Sequence, residues 1–279
     1  MRTLMVVFVA LVLLSSSIFA QEQSAQGAGA DATGDEDAEA AALAKKSQNP
    51  IANIISLPLQ NNTSFDNGPE GATVNIFNIQ PVYPISTSKF NIINRFILPV
   101  IYRGELVEGA GTASGLGDLS YSAFFSPAKE GNVTWGVGPS FLIPTATDDL
   151  LGSGKWSAGF GAVILAMPGK WVIGVLAQNV WSFAGDKDRA DVKSLLAQYF
   201  INYNIKNGWY LSTAPVITAN WEADSDNRWT IPFGGGFGKL VKFGKLPVDM
   251  QTQVFYNVEK PAGVGDWVWR LQFKMLFPK

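Results

Sequence analysis

The side chains able to do chemistry in this chain are carboxylates, amines, guanidiniums, hydroxyls and amides, because its 279 residues include no His and no Cys. Triads of the Ser-His or Cys-His kind and His-ligated metal sites are thereby excluded. So are thiolate zinc, iron–sulfur clusters, disulfides and a lipidated amino-terminal Cys. A Ser-Lys or paired-carboxylate mechanism stays open, and no cofactor or metal is implied. The polar residues with a telling spacing are of another kind: Arg95; Gln178; Gln198, Asn202 and Asn204; Asp249, Gln251 and Gln253; Arg270, Gln272 and Lys274. Within each segment they recur at even intervals, so in extended chain they share one face. On a sheet that closes upon itself such a face lines a lumen, and the lining groups set what passes. The same groups can instead zip a small barrel shut through a hydrogen-bonded network.

The elements that would hold them are strands. At the carboxyl end Trp267, Trp269, Leu271, Phe273, Met275 and Phe277 alternate with Asp266, Val268, Arg270, Gln272, Lys274 and Leu276. Val248, Met250, Val254, Tyr256 and Val258 likewise oppose Asp249, Gln251, Gln253 and Asn257. The pattern is less clean over 193–206, where Leu196 and Phe200 fall on the polar side. Alternation and turn residues together predict about twelve strands: 51–60, 73–85, 89–102, 115–126, 133–143, 155–167, 170–183, 193–206, 208–221, 228–239, 247–258 and 265–277. Connections alternate between tight and long, which predicts an all-β protein: a closed, antiparallel, up-and-down transmembrane β-barrel with both termini at the short-turn end. A large soluble β-sandwich is the competing architecture. Pro99, Pro139, Pro215 and Pro232 lie inside predicted strands, where a missing N–H requires a bulge or a break.

All nine Trp (Trp135, Trp156, Trp171, Trp181, Trp209, Trp221, Trp229, Trp267 and Trp269) fall near predicted strand ends, as a membrane-interface girdle would. Lys+Arg 21 against Asp+Glu 23 gives no excess of positive charge for nucleic acid. Acidic residues gather in the long loops and Lys in the short turns. Residues 1–20 have the layout of a signal peptide, with Arg2, an apolar stretch from Leu4 to Leu14 and Ala20 before Gln21. Residues 21–48 form an acidic, Ala-rich linker or plug segment, leaving 49–279 for the barrel.

Several stretches carry a resemblance: Asn49-Pro50-Ile51-Ala52-Asn53, Leu57-Pro58-Leu59-Gln60-Asn61-Asn62, Gly115-Leu116-Gly117-Asp118, Trp135-Gly136-Val137-Gly138-Pro139, Pro144-Thr145-Ala146-Thr147-Asp148, Gly152-Ser153-Gly154-Lys155-Trp156, Asn179-Val180-Trp181-Ser182-Phe183-Ala184-Gly185, Thr218-Ala219-Asn220-Trp221-Glu222-Ala223 and Phe277-Pro278-Lys279. Over 49–279 the chain resembles the phenol-degradation MetA-pathway family of outer-membrane proteins, often labelled simply transporters and sometimes mislabelled neuromedin U. The resemblance implies a bacterial outer-membrane barrel, reached after export and signal-peptide removal. It also implies passage of small aromatic or other hydrophobic molecules, but no binding residue. The expected partners are the bilayer and lipopolysaccharide, a small-molecule solute and the outer-membrane assembly machinery, with no nucleic acid. A channel or facilitator is the leading expectation. A non-conducting structural or surface-interaction barrel and a hydrolase without a catalytic His are the alternatives.

Overall fold

A computed structural model describes residues 41–129 and 131–277; residues 1–40, with the expected signal peptide and most of the linker, lie outside the described residues. The chain forms β1 (Ile55–Asn67), β2 (Ala72–Ile79), β3 (Val82–Ser86), β4 (Phe90–Arg103), β5 (Ala113–Leu116), β6 (Leu119–Pro127), β7 (Val133–Ile143), β8 (Lys155–Ala166), β9 (Trp171–Gly185), β10 (Lys193–Asn204), β11 (Trp209–Thr213), β12 (Val216–Asn220), β13 (Trp229–Phe243), β14 (Leu246–Glu259) and β15 (Trp267–Phe277). β2 and β3 follow one another along the same edge of β4, as β5 and β6 do along its other edge, and β12 and β11 both line β10. Each of these pairs is one interrupted strand, and the result is a closed antiparallel barrel of 12 strands. Two seams complete the ring. β15 pairs β1 from Ile55↔Phe277 to Phe65↔Trp267, and β9 pairs β10 from Lys193↔Trp181 to Tyr203↔Trp171. Closure is required physically, since an unpaired edge in hydrocarbon would leave backbone groups unsatisfied at several kcal/mol each.

Short turns at 87–89, 128–132, 167–170, 205–208 and 244–245 share one end with both barrel termini, while 104–112, 144–154, 186–192, 221–228 and 260–266 form the longer loops opposite. The first connection on the long-loop side, 68–71, is itself short. The first strand also differs from the expected 51–60. It begins at Ile55 and runs to Asn67, because residues 51–54 are turned inward instead of joining the ladder.

Each of the four prolines sits where the ladder is already interrupted. Pro215 separates β11 from β12, and Pro232 marks the register shift on β13. Pro99 faces the gap between β5 and β6, whose Gly117 donates to its carbonyl at 2.9 Å. Pro139 lies in a stretch of β7 where pairing to β6 lapses between Ser122↔Ser140 and Phe125↔Val137.

The outer face is apolar and bare. Phe160 is 73% exposed, Phe233 70% and Ile164 55%, values that suit contact with lipid and not with a second layer. Inside, the described chain holds two apolar clusters, one of Ile51, Ile93, Phe124, Val163, Leu165, Val172, Leu176 and Phe200 and the other of Ala44, Ile54, Leu240 and Leu276. Phe200, out of phase with its polar neighbours in sequence, is thereby explained, because it packs in the cluster that receives Ile51.

Glycine at 159 permits close strand approach. A Cβ there would lie 1.8 Å from the Asn179 carbonyl oxygen of β9. Gly159→Ala is therefore expected to destabilise the barrel by about 1–3 kcal/mol, the usual cost of overpacking. A denaturant titration of refolding in detergent, compared with the wild type, checks it.

Candidate solute pathway inside the barrel

The short-turn end of the lumen is filled by the chain's own amino-terminal segment. A helix over residues 41–48 leads into a turn at Asn49–Ile54 whose apolar side chains, Ile51 and Ile54, enter the two internal clusters. Polar latches add to this burial. The Ser47 hydroxyl donates to Asp249 Oδ2 at 2.5 Å, Tyr210 donates to Asp249 Oδ1 at 2.5 Å, and Lys274 Nζ donates to the Ser47 carbonyl at 2.6 Å. Gln48 and Asn204 exchange amide hydrogen bonds at 2.9 and 3.1 Å, and Lys45 donates to the carbonyl of Gly169 in the β8–β9 turn. Asp249 is 1% exposed, and the hydroxyls of Ser47 and Tyr210 each satisfy one of its carboxyl oxygens.

Above the latch lie two cavities with part of their walls in common. The lower, of about 130 Å³, is walled by Ser47, Gln48 and Pro50 of the segment and by Asn202, Asp249, Gln251, Gln272 and Lys274 of the barrel. The upper, of about 260 Å³, mixes Asn62, Asn78 and Gln178 with Ile76, Ile97, Leu176, Leu196 and Val216. Arg95, Arg270, Gln60, Gln80 and Gln198 line both and so mark the divide between them.

The break at Pro215 serves this divide. It frees the Ala214 carbonyl from the ladder, and that oxygen accepts from Arg270 Nη1 at 2.7 Å and from Gln198 Nε2 at 2.9 Å. Arg270 also donates to Asn62 Oδ1 at 2.9 Å and lies 4.8 Å from the centre of the Phe255 ring. Gln251 and Gln253 both donate to Ser212, at 2.8 and 3.0 Å, and Gln178 donates to Ser122 at 2.7 Å. Arg95, by contrast, has no hydrogen-bond or ion-pair partner among the described residues.

Of the residues expected to line a lumen, Arg95, Gln178, Gln198, Asn202, Asp249, Gln251, Arg270, Gln272 and Lys274 border one cavity or both. Asn204 and Gln253 belong to the same inward face but border neither, being committed to Gln48 and to Ser212 and Arg270. Sequence reasoning missed Gln60 and Asn62, Gln80, and Tyr210 with Ser212. The period-2 signal existed for the first and last pairs; the expected first strand stopped at residue 60, short of Asn62, and the break at Pro215 cut short the run that holds Tyr210 and Ser212.

Outside, Trp135, Trp171 and Trp209 stand at the short-turn end, and Trp156, Trp181, Trp221, Trp229, Trp267 and Trp269 at the long-loop end. Along β9 the positions of Trp171 and Trp181 are separated by about 25 Å of membrane normal at usual strand rise and tilt, the height of an outer-membrane apolar band. The Lys239 amine sits over the Trp209 ring, 5.0 Å from its centre.

In the long loops, charges pair with neighbours: Lys155 with Asp191 at 3.3 Å, Lys193 with Glu222 at 2.6 Å and Lys260 with Asp266 at 2.6 Å. The Ser153 amide and hydroxyl both donate to Asp118 Oδ2 at 2.7 Å. Among the described residues no three acidic side chains converge as a metal site requires. The hydrogen bond from Lys155, then that from Ser182, holds the exposed Asp191 carboxyl below its ordinary value. The pairing therefore helps the loop above the unfolded pKa and is lost as pH falls through the lowered one.

Fold, bare apolar exterior and interface tryptophans together define a transmembrane β-barrel of the outer-membrane type. The model of the family described as "Putative MetA-pathway of phenol degradation" matches residues 68–266, and the chain belongs to that family. Comparison with curated proteins finds no match. Among solved structures, the COG4313 outer membrane channel from Pseudomonas putida F1 aligns at 20% identity and TM-score 0.62, over 80% of this chain and 96% of that one. A shared fold is what that likeness shows. The CymD monoaromatic hydrocarbon channel (8% identity, TM-score 0.47, 87% and 93% covered) and Escherichia coli outer membrane phospholipase A (13%, 0.39, 81% and 97%) are more distant.

Proposed function

We propose that the protein resides in the bacterial outer membrane and is a channel or facilitator for passive passage of small solutes, aromatic and other hydrophobic ones among them. The observation that carries this reading is the pair of stacked cavities inside the barrel, the upper one walled partly by Ile76, Ile97, Leu176, Leu196 and Val216. A barrel zipped shut for structure alone has no need of an aliphatic-lined space above its polar latch. The family's description, phenol degradation, agrees with an aromatic solute. In this reading lipid and lipopolysaccharide wet the exterior, and the assembly machinery handles the final strand, β15. A hydrolytic role lacks an activating base of the usual kind, since the chain has no His.

The amino-terminal latch favours a second reading, a non-conducting barrel presenting its loops as an interaction surface. Liposome swelling and planar-bilayer conductance of the refolded protein decide between them. Flux of small solutes is the expected result; its absence both in the full chain and in a chain freed of the latch would establish the second reading.

A further inference from the structure

Counting charge along the two cavities exposes an imbalance. Arg95, Arg270 and Lys274 line them, and Asp249 is the one carboxylate on either wall. That carboxylate is already saturated at its own level by Ser47 and Tyr210, with Lys274 fastened to the Ser47 carbonyl beside it. The two guanidiniums at the divide have no anionic counterpart. Arg270 is oriented by the Ala214 carbonyl and by the amide oxygens of Asn62 and Gln253, neutral acceptors that fix its geometry without cancelling its charge. Arg95, on β4, three strands round the ring from β15, is half-buried, has no protein partner among the described residues, and borders both cavities.

A guanidinium held in a confined, low-dielectric interior without a counter-ion is costly, and a planar anion with two oxygens matches its donor geometry. Directly above the pair, Ile97, Leu176, Leu196 and Val216 offer an apolar wall. The cavity they border, about 260 Å³, is near the lower end of small-ligand pockets, roughly 300 Å³. We infer that the divide is a binding and selectivity site for small amphiphilic carboxylates, the carboxylate lodged between Arg95 and Arg270 and the hydrocarbon body against the aliphatic wall above. This inference rests on the channel reading for its transport consequence and narrows the solute to organic acids. Neutral hydrocarbons and organic amines would lack the charged half of the site.

The experiment uses the refolded full chain in planar bilayers under a KCl gradient, with benzoate, benzylamine and toluene as probes. The reversal potential should report anion preference, and benzoate should reduce the KCl current at concentrations where benzylamine and toluene do not. Arg95→Gln should weaken benzoate block about tenfold, the usual scale for losing one charge-assisted hydrogen-bonded contact, and should erode the anion preference. Arg95→Lys should retain the preference while losing part of the block. Heat-modifiable gel migration verifies that both variants fold. An unselective or cation-selective current, or equal block by all three probes, overturns the proposal. Should no current pass either in the full chain or in a chain freed of the latch, the channel reading fails by itself. Calorimetric titration of the detergent-solubilised barrel with benzoate and benzylamine then tests the site: preference for benzoate that Arg95→Gln removes supports it, and equal or absent binding refutes it.

Discussion

Deleting residues 41–50 should raise single-channel conductance several-fold while leaving the barrel folded. The segment's helix and turn occupy the short-turn end of the lumen, and its removal opens the lower cavity to that end. Its loss also has a cost. The cut takes Ala44, 1% exposed, from its cluster and removes the turn that holds Ile51, 3% exposed, against Phe124 and Phe200; an apolar side chain released into water forfeits about 1.5–3 kcal/mol. Asp249 loses the Ser47 hydroxyl but keeps Tyr210. The expected outcome is therefore a wider and somewhat less stable barrel, checked by paired conductance and denaturant measurements. Unchanged conductance would mean that the narrowest point lies at the Arg95–Arg270 divide and not at the latch. Ser47→Ala offers a milder companion, removing one donor to Asp249 while leaving the apolar contacts of the segment in place.

Phe273→Arg is expected to destabilise the barrel by roughly 2–4 kcal/mol, because residue 273 lies mid-strand on the outward face of β15 and the new charge would meet lipid near the bilayer centre. Gln272→Arg, one position away, should be milder, since residue 272 borders the lower cavity, where water and the facing Gln251 amide can solvate it; repulsion from Arg270 and Lys274 on the same face takes back part of that gain but leaves it below the cost of a charge in lipid. The pair differs only in which side of the wall the charge enters. Refolding titrations in the same lipid or detergent give the comparison directly, and equal effects would overturn the assigned facing.

Much of the barrel was legible in the chain. Alternation along 247–258 and 265–277 placed Asp249, Gln251, Arg270, Gln272 and Lys274 on one face without any structure, because period 2 is enforced by strand geometry itself. The Trp positions at strand ends likewise follow from where an amphipathic ring gains most. The candidate site was legible only as a roster of inward groups. Leu196 and Phe200 read as noise, since their partners, Ile51 among them, come from a segment far away in the chain. Asn62 was lost because the first strand was expected to end at residue 60 and runs to Asn67, with Gln60 left at that expected end; Ile51–Ile54, strand-like in composition, drew the strand four residues early, since the inward turn at Asn49 leaves no periodic signal.

Strand number, facing, the closed ring and the apolar exterior were therefore determined by the sequence alone, through local rules that each short segment obeys independently. Which inward residues lock together and which stay open was decided only by the tertiary structure. Closure brings Ser47 to Asp249 and Lys274, carries Arg270 to the carbonyl freed at Ala214, and leaves Arg95 beside both cavities without a partner. These relations depend on register summed around the whole ring and on a segment folded back into it, and no window of neighbouring residues contains them.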